Sequence, residues 1–531
     1  MDRWKPTVVV SAREQRLLKL AGKSRKLFVF LREHRHELFD DAFQTELEAM
    51  YRQTGQGQAP QPPALMCMAL LLQAYTQTSD AEAVCASAAD SRWRMVLDRL
   101  GAEEDEPAFS QGGLQQFRDR LIATEMDGRL LERTRELAHA TKSFDPKKTP
   151  KSLRVAVDSR PLEGAGRVED TINLLGHAGR KIAECTAVVL GTDVEEVCQQ
   201  ANVPLLMASS IKAGLDIDWS ATEAKSEAVN RLCIQLDRLM TWVSKHAASC
   251  AAAPLTRYIE ALEQVRKQDL EPDEKGGVQI RQGVAAERRI SIEDADMRHG
   301  RKSKSKRFNG FKQHIATDLD NELVLACAVT PANRPEEEAT DALQEDMARQ
   351  ELFPDELLID RAYINSALAE DVQAAGGDII CRAWAGTAKP GLFGKRDFHI
   401  NVRDSTITCP AGQVEHFEPG AVVHFDHEVC GPCKLRPQCT QAATGRGRSI
   451  TMGDDEGLQK KLRSRLKTRA GRARLRERVA VEHHLAHLAE RQGPKARYIG
   501  TRRNLFDLRR LSSVQNLEVI ARHERDQALT Q

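Results

Sequence analysis

Two apolar runs in this chain end in a carboxylate. Arg154-Val155-Ala156-Val157 leads into Asp158, and Leu357-Leu358-Ile359 leads into Asp360. Each run reads as a strand that delivers a charge to the end of a sheet. Taken singly, either Asp reads as a turn or helix-cap residue. Together they are harder to dismiss, because two neighbouring carboxylates repel and one stays protonated unless a cation joins them. Hard divalent cations take oxygen ligands. A pair of them ~3.5–4 Å apart stabilises both the entering and the leaving oxygen of an in-line phosphoryl displacement. Downstream, Glu482 lies in Arg478-Val479-Ala480-Val481-Glu482-His483-His484. The stretch from Arg472 to Glu490 reads as one helix, with Arg478 a turn before Glu482 on the same face, where it would orient the carboxylate or meet a phosphate. Glu477 is the rival third ligand. His483 and His487 are also one turn apart, but they lack the Glu placement of a metalloprotease helix, and phosphate contact or packing explains them better.

A second cluster is made of sulfur. Cys409, Cys430, Cys433 and Cys439 fall within about thirty residues, and the Cys-x-x-Cys pair lets two thiolates reach one ion. Four thiolates suit tetrahedral Zn²⁺ in a closed, structural site. Chance clustering, a redox pair, or replacement of one Cys by His416, His424 or His427 are the other readings. Arg436, Arg446 and Arg448 would make this insertion a positive surface. The remaining cysteines, among them Cys67, Cys85, Cys233 and Cys327, stand singly in apolar surroundings and read as small buried hydrophobes.

Charge is the third signal. The chain of 531 residues carries a net +1, so the total points to no partner, but the distribution is uneven. Arg301, Lys302, Lys304, Lys306 and Arg307 form one patch, with Lys312 just beyond. Arg463, Arg465, Lys467, Arg469, Arg472, Arg474 and Arg476 form another, and Arg502 with Arg503 a third. A helix charged on several faces repels itself unless phosphates are near, which favours contact with a DNA backbone: steeply salt-dependent and poor in sequence information.

Around these groups the chain reads as a mixed α/β protein of several parts. It is 41% hydrophobic and 29% charged, with no apolar run of the ~18 residues a membrane span needs and no secretory leader pattern, so the expectation is a cytoplasmic protein without a membrane partner. Residues 1–150 read as helical, with Pro62-Pro63 opening an apolar helix, a capping box at Ser79-Asp80-Ala81-Glu82 and a helix start after Phe109-Ser110. Such helices suit a DNA-binding module or a dimerisation bundle. A Lys-rich linker follows, then a first core strand within 151–170, a helical insertion over 171–285, core strands and helix over 286–390, the cysteine insertion over 391–450, and a basic helix and tail over 451–531.

The series Asp158, Asp360, Glu482 resembles that of bacterial insertion-sequence DDE transposases, in the branch with a cysteine module before the catalytic Glu. The likeness extends to Phe308-Asn309-Gly310-Phe311-Lys312-Gln313-His314 and Val329-Thr330-Pro331-Ala332-Asn333, which look like that branch's paired core strands. It continues in Asp360-Arg361-Ala362-Tyr363, in Arg478-x-x-x-Glu482, and in Ala496-Arg497-Tyr498 with Asn504-Leu505-Phe506-Asp507-Leu508. One departure is Leu475, where many relatives place an aromatic before the Arg. The resemblance implies a ribonuclease-H-like core, and Asp158, Asp360 and Glu482 holding two Mg²⁺ or Mn²⁺ ions, with Arg478 and Tyr363 in support. It implies double-stranded transposon ends and target DNA as partners, a homodimer or larger assembly, and action at a bacterial nucleoid. A nuclease that cannot join strands, or a non-catalytic DNA-binding descendant, would share the same motifs.

Overall fold

The computed structural model describes residues 3–530 apart from 23–25, 52–58, 104, 142–151, 247–252, 275, 304, 385–388 and 444. The Lys-rich linker and Lys304 therefore lie outside the described residues. The chain forms two compact units. The larger comprises Met1–Lys151, Asp158–Phe353 and Val481–Gln531; the smaller comprises Ser152–Val157 and Pro354–Ala480.

The larger unit begins with eight helices: α1 (Ala12–Ala21), α2 (Lys26–Leu38), α3 (Asp41–Glu48), α4 (Pro63–Thr76), α5 (Asp80–Ala89), α6 (Ser91–Val96), α7 (Gln111–Ala123) and α8 (Met126–Ala140). Their starts are written locally. Ser11 and Ser79 form capping boxes with Glu14 and Glu82, and the Ser110 hydroxyl accepts from the Gly113 N–H. α4 is apolar all round and buried along nearly its whole length, as a central helix must be.

Strand β1 (Arg154–Glu163) starts in the smaller unit and ends in the larger one. It runs five residues past Asp158, where the apolar pattern predicts an end. The extension is stabilised by distant partners. Arg160 and Leu162 are buried, and the Glu163 N–H and C=O bond Pro494 O (3.1 Å) and Ala496 N–H (2.6 Å).

After β1 come α9 (Thr171–Leu190), α10 (Val194–Gln200), α11 (Ile211–Leu215), α12 (Thr222–His246) and α13 (Ala253–Asp269), with an apolar core of their own built on Leu174, Ile182, Leu232, Leu236 and Leu262. The hairpin β2 (Leu270–Pro272) and β3 (Val278–Ile280) closes this insertion. β4 (Arg298–Arg301), β5 (Arg307–Asp318) and β6 (Val324–Pro331) then form an antiparallel meander, and β5 lies next to β1. Gly310 makes that approach possible. It has a φ of 151°, and a Cβ there would sit 2.2 Å from Leu162 O. α14 (Thr340–Ala348) follows.

In the smaller unit, β7 (Glu356–Leu358) pairs in parallel with the start of β1, and β8 (Asp378–Ile380) with β7; α15 (Ala367–Ala374) connects β7 to β8. The cysteine insertion has a separate small core, made by β9 (His399–Asn401), β10 (Thr406–Thr408), β11 (Val414–His416), β12 (Val422–His424), the turns of helix α16 (His427–Cys430) and α17 (Arg436–Cys439), and β13 (Ser449–Thr451).

The stretch expected as one basic helix is three: α18 (Glu456–Lys467), α19 (Arg469–Glu477) and α20 (Val479–Gln492). Thr468 is extended, and its hydroxyl caps α19 by accepting from the Gly471 N–H at 2.9 Å, while Arg472 donates to Leu466 O and Lys467 O at the end of α18. Gly471 lies so close to Arg465 O that a Cβ would be 2.2 Å from it. Arg478 occupies the second junction. It therefore precedes the helix that carries Glu482 instead of lying within it.

In the larger unit again, α21 (Thr501–Thr530) runs through the core against α4, α8 and β6. No helix among the described residues is long and apolar enough to cross a membrane.

Candidate active site

Residues 154, 156, 158 and 160 share one face of β1, by the two-residue period of a strand. In the smaller unit, Arg154 on that face pairs with Glu356 (3.2 Å) and with Glu477 at the end of α19. In the larger unit, Arg160 donates to Gln492, the last residue of α20, and burial holds its guanidinium down at about 10. With the bonds from Glu163 to Pro494 and Ala496, this ties the end of α20 to the half of β1 that carries Asp158. Asp158 is half-buried, and its Oδ1 accepts from the Ser159 N–H at 2.8 Å.

Asp360 follows β7 in extended conformation. Its Oδ1 accepts from the Arg361 N–H (2.6 Å), capping a single turn, Arg361–Tyr363, whose last residue is fully buried and holds the turn to the core. Asp360 itself is exposed. The final register pair of β1 and β7 is Ala156 with Leu358, so Asp158 and Asp360 each stand two residues beyond it. Cys381, just after β8, reports on the surroundings. Its thiol is pushed up to about 12, first by burial and then by Asp360, against the opposing pull of Arg361 and Arg478. Asp360, Arg361 and Arg478 thus gather around one point of the smaller unit.

Glu482 lies in the first turn of α20 on the exposed side, while Val481, His484, Leu485 and Leu488 face inward. His484 is bonded to Gln515, and burial pushes its pKa down to about 4. His483 and His487 are exposed. Glu477, the rival ligand, is engaged by Arg154.

Cys409, Cys430, Cys433 and Cys439 line one small cavity with Phe393, Phe425 and Arg448, and His416, His424 and His427 stay outside it. The Cys439 thiol is raised first by burial and also by the other three sulfurs, which therefore lie around Cys439. Among the described residues, however, no three His, Cys, Asp or Glu side chains are drawn into a group that could hold a metal ion. Arg436 turns inward onto the Cys430, Ala442, Ala443 and Arg446 carbonyls, and Arg448 donates to Phe393 O, so both act as internal braces rather than surface charges. Cys85, expected inside, is exposed.

The basic residues divide in two. Arg301, Lys302, Lys306 and Arg307 are exposed on the β4–β5 hairpin, and Lys467, Arg469, Arg472 and Arg476 on α18 and α19. Others serve the fold. Lys312 donates to Arg334 O (2.8 Å), Arg465 to Asp378 and Ile379 O, and Arg474 pairs with Glu356. Arg463 lies 3.7 Å from Glu456, Arg502 grips the buried Asp127, and Arg503 meets Asp119 at 3.1 Å. Arg154, Lys395, Arg396, Lys460 and Trp384 belong to no local motif, and nothing beside them in the sequence singles them out.

No curated protein and no solved structure matches the chain at a significant level. Two family models do. The Transposase domain (DUF772) matches residues 23–120, over the helices from α2 to α7, and the Transposase DDE domain matches residues 278–517, a span that includes Asp360 and Glu482 but not Asp158. Between them they account for well over half of the chain, which belongs to the insertion-sequence DDE transposases, metal-dependent enzymes of phosphoryl transfer on DNA.

Proposed function

We propose that this transposase binds the ends of its element, cuts them and joins them to target DNA, with Asp158, Asp360 and Glu482 as its catalytic carboxylates. The observation that supports the assignment is the parallel register of β1 and β7, whose last pair, Ala156 with Leu358, stands two residues before an Asp in each segment. The tie between α20 and the same strand supports Glu482 as the third. Glu477 is set aside because Arg154 already engages it. A ribonuclease-H-like core fits the mixed sheet.

The donor chemistry fits Mg²⁺ or Mn²⁺: three carboxylates, two of them exposed, offering hard oxygens. Such ions, when bound, would stabilise charge on the entering and leaving oxygens. Arg478, beside Asp360, meets a non-bridging phosphate oxygen and balances charge that the carboxylates do not. In the first step the oxygen of water bonds to phosphorus and the bond to the 3′ oxygen breaks, leaving a 3′ hydroxyl and a 5′ phosphate. In the second, that hydroxyl attacks a target phosphate and displaces the target's own 3′ oxygen, the proton passing to solvent. The exposed cations of the β4–β5 hairpin and of α18–α19 hold DNA backbone, the N-terminal helices recognise the ends, and the enzyme works as a dimer or larger assembly on paired ends.

Four thiols around one cavity likewise fit Zn²⁺, which would pin the cysteine insertion without taking part in chemistry. The purified protein should then contain one zinc per chain by elemental analysis, and Cys433→Ser should lose it; a metal-free wild type rejects the zinc site.

The test of the function is incubation of labelled element-end duplex with target DNA and Mg²⁺ or Mn²⁺. Nicked ends and joined products are expected. Nicks without joining reduce the protein to a nuclease, and binding without nicks to a DNA-binding descendant.

A further inference from the structure

In the smaller unit a groove of about 650 Å³ runs between α18 and the start of the cysteine insertion. Five cations line it: Lys395 and Arg396 from the insertion, and Lys460, Arg463 and Lys467 from one face of α18. Its floor is apolar, with Phe398 and Ile400. The single carboxylate in the lining is Glu456, which is buried and already engaged by Lys395 and Arg463. Lys460 and Lys467 are exposed and have no ion-pair partner among the described residues. On α18 the three cations follow each other at three and four residues, so they rise by about 4.5 and 6 Å along the helix. Such a row of charge over an apolar floor suits a chain of phosphates whose bases lie against the protein.

Trp384 stands at one edge, next to the lining residue Ala383. Trp384 is 46% exposed although Cys381 and Ala383 beside it are buried. The exposure is built in. The Trp384 N–H donates to Gln459 of α18 (2.8 Å), its carbonyl accepts from Arg396 of the groove (3.1 Å), and the Arg361 guanidinium lies 5.5 Å from the ring centre. Arg361 directly follows Asp360. The ring is thus held between the groove and a candidate catalytic residue, with a cation against it and much of its surface left to solvent. A duplex hides the faces of its bases, whereas an unpaired base stacks well on an aromatic ring.

We propose that the groove carries a single strand of DNA away from the active site, its phosphates on Arg396, Lys460 and Lys467 and one unpaired base stacked on Trp384. This rests on the transposase reading above, and adds that the enzyme holds a locally unpaired strand beside the cut.

The test uses the full-length protein with no Mg²⁺ or Mn²⁺ added, so that no cutting occurs. Binding of labelled oligothymidylate and of element-end duplex is followed by fluorescence anisotropy against salt. Wild type should bind both. Trp384→Ala should weaken oligothymidylate binding about 5- to 150-fold, the effect of losing one stacked base, with duplex affinity and melting temperature little changed. Trp384→Phe should recover part of the loss. Lys460→Glu with Lys467→Glu should lower the salt slope for oligothymidylate by about 1.4, two single-strand phosphates. Unchanged oligothymidylate binding in Trp384→Ala, or an unchanged slope in the double variant, overturns the proposal while leaving the transposase reading intact. A wild type that holds duplex but not oligothymidylate does the same, and one that holds neither overturns both.

Discussion

α21 and the pair α18–α19 are both rich in arginine and use it in opposite ways. In α21, Arg509 is buried and paired with Asp127 (3.2 Å) and Asp346 (2.7 Å), and Arg510 is buried with Asp507 and Gln73. Arg502 adds a second grip on Asp127. In α18–α19, Arg465 and Arg474 are engaged by Asp378 and Glu356, while Lys467, Arg469 and Arg476 stay exposed with no carboxylate against them among the described residues. The charge is denser along α18–α19, nine cations to two acids, than along α21, six arginines to four acids. What separates them further is burial: the carboxylates that meet Arg509 and Arg510 of α21 do so in the core, whereas much of α18–α19 stays exposed. An arginine that finds such a partner becomes a strut, and one that does not remains available to phosphate.

The largest effect should come from breaking a strut. Arg509→Ala would leave the buried Asp127 to Arg502 and the buried Asp346 to Arg349 alone, and should cost up to about 3–5 kcal/mol of stability in denaturant unfolding. A loss below about 1 kcal/mol would mean that α21 is held by its apolar packing alone.

A smaller effect comes from a buried base that stays neutral. His314 on β5 is wholly buried against Thr330 (3.0 Å between Nε2 and Oγ1), and burial pushes its pKa down to about 3 from an ordinary 6.5. The unfolded chain therefore takes up this proton first. The stability contributed by the neutral ring is complete above pH 6.5 and is lost as pH falls toward 3. The melting temperature of wild type should drop over that window more than that of His314→Gln, measured in the same buffers. Parallel curves would assign the acid sensitivity elsewhere.

The smallest effects belong to the exposed face. Arg469→Ala and Arg476→Ala should each change stability by less than about 0.5 kcal/mol. Each should also lower the salt slope of duplex binding by about 0.9 for every phosphate that is no longer neutralised. If either destabilised the protein as much as Arg509→Ala, the contrast between the two regions would collapse.

Features written in neighbouring residues were legible: the apolar runs before Asp158 and Asp360, the Ser79 capping box, the helix start after Ser110. Those that depend on remote partners were not. β1 continues past Asp158 because Arg160 and Glu163 find Gln492, Pro494 and Ala496, more than three hundred residues away. The cap of α21 is equally remote, with Asp296 accepting from both the Thr501 N–H and hydroxyl at 2.8 Å. The break at Thr468 did have a local sign, a Thr three residues before a Gly, hidden in a run of charge. The carboxylates were readable as types and positions, because strand ends announce themselves. The tie between α20 and β1 was not, because Gln492 meets Arg160 from more than three hundred residues away.

The most direct test of the central claim is metal-dependent cutting of end DNA by Asp158→Ala, Asp360→Ala, Glu482→Ala and Glu477→Gln, with duplex binding measured alongside. The account predicts that the first three bind DNA and do not cut in Mg²⁺ or Mn²⁺, while Glu477→Gln cuts. Cutting that survives Glu482→Ala but not Glu477→Gln would contradict it and move the third carboxylate to α19.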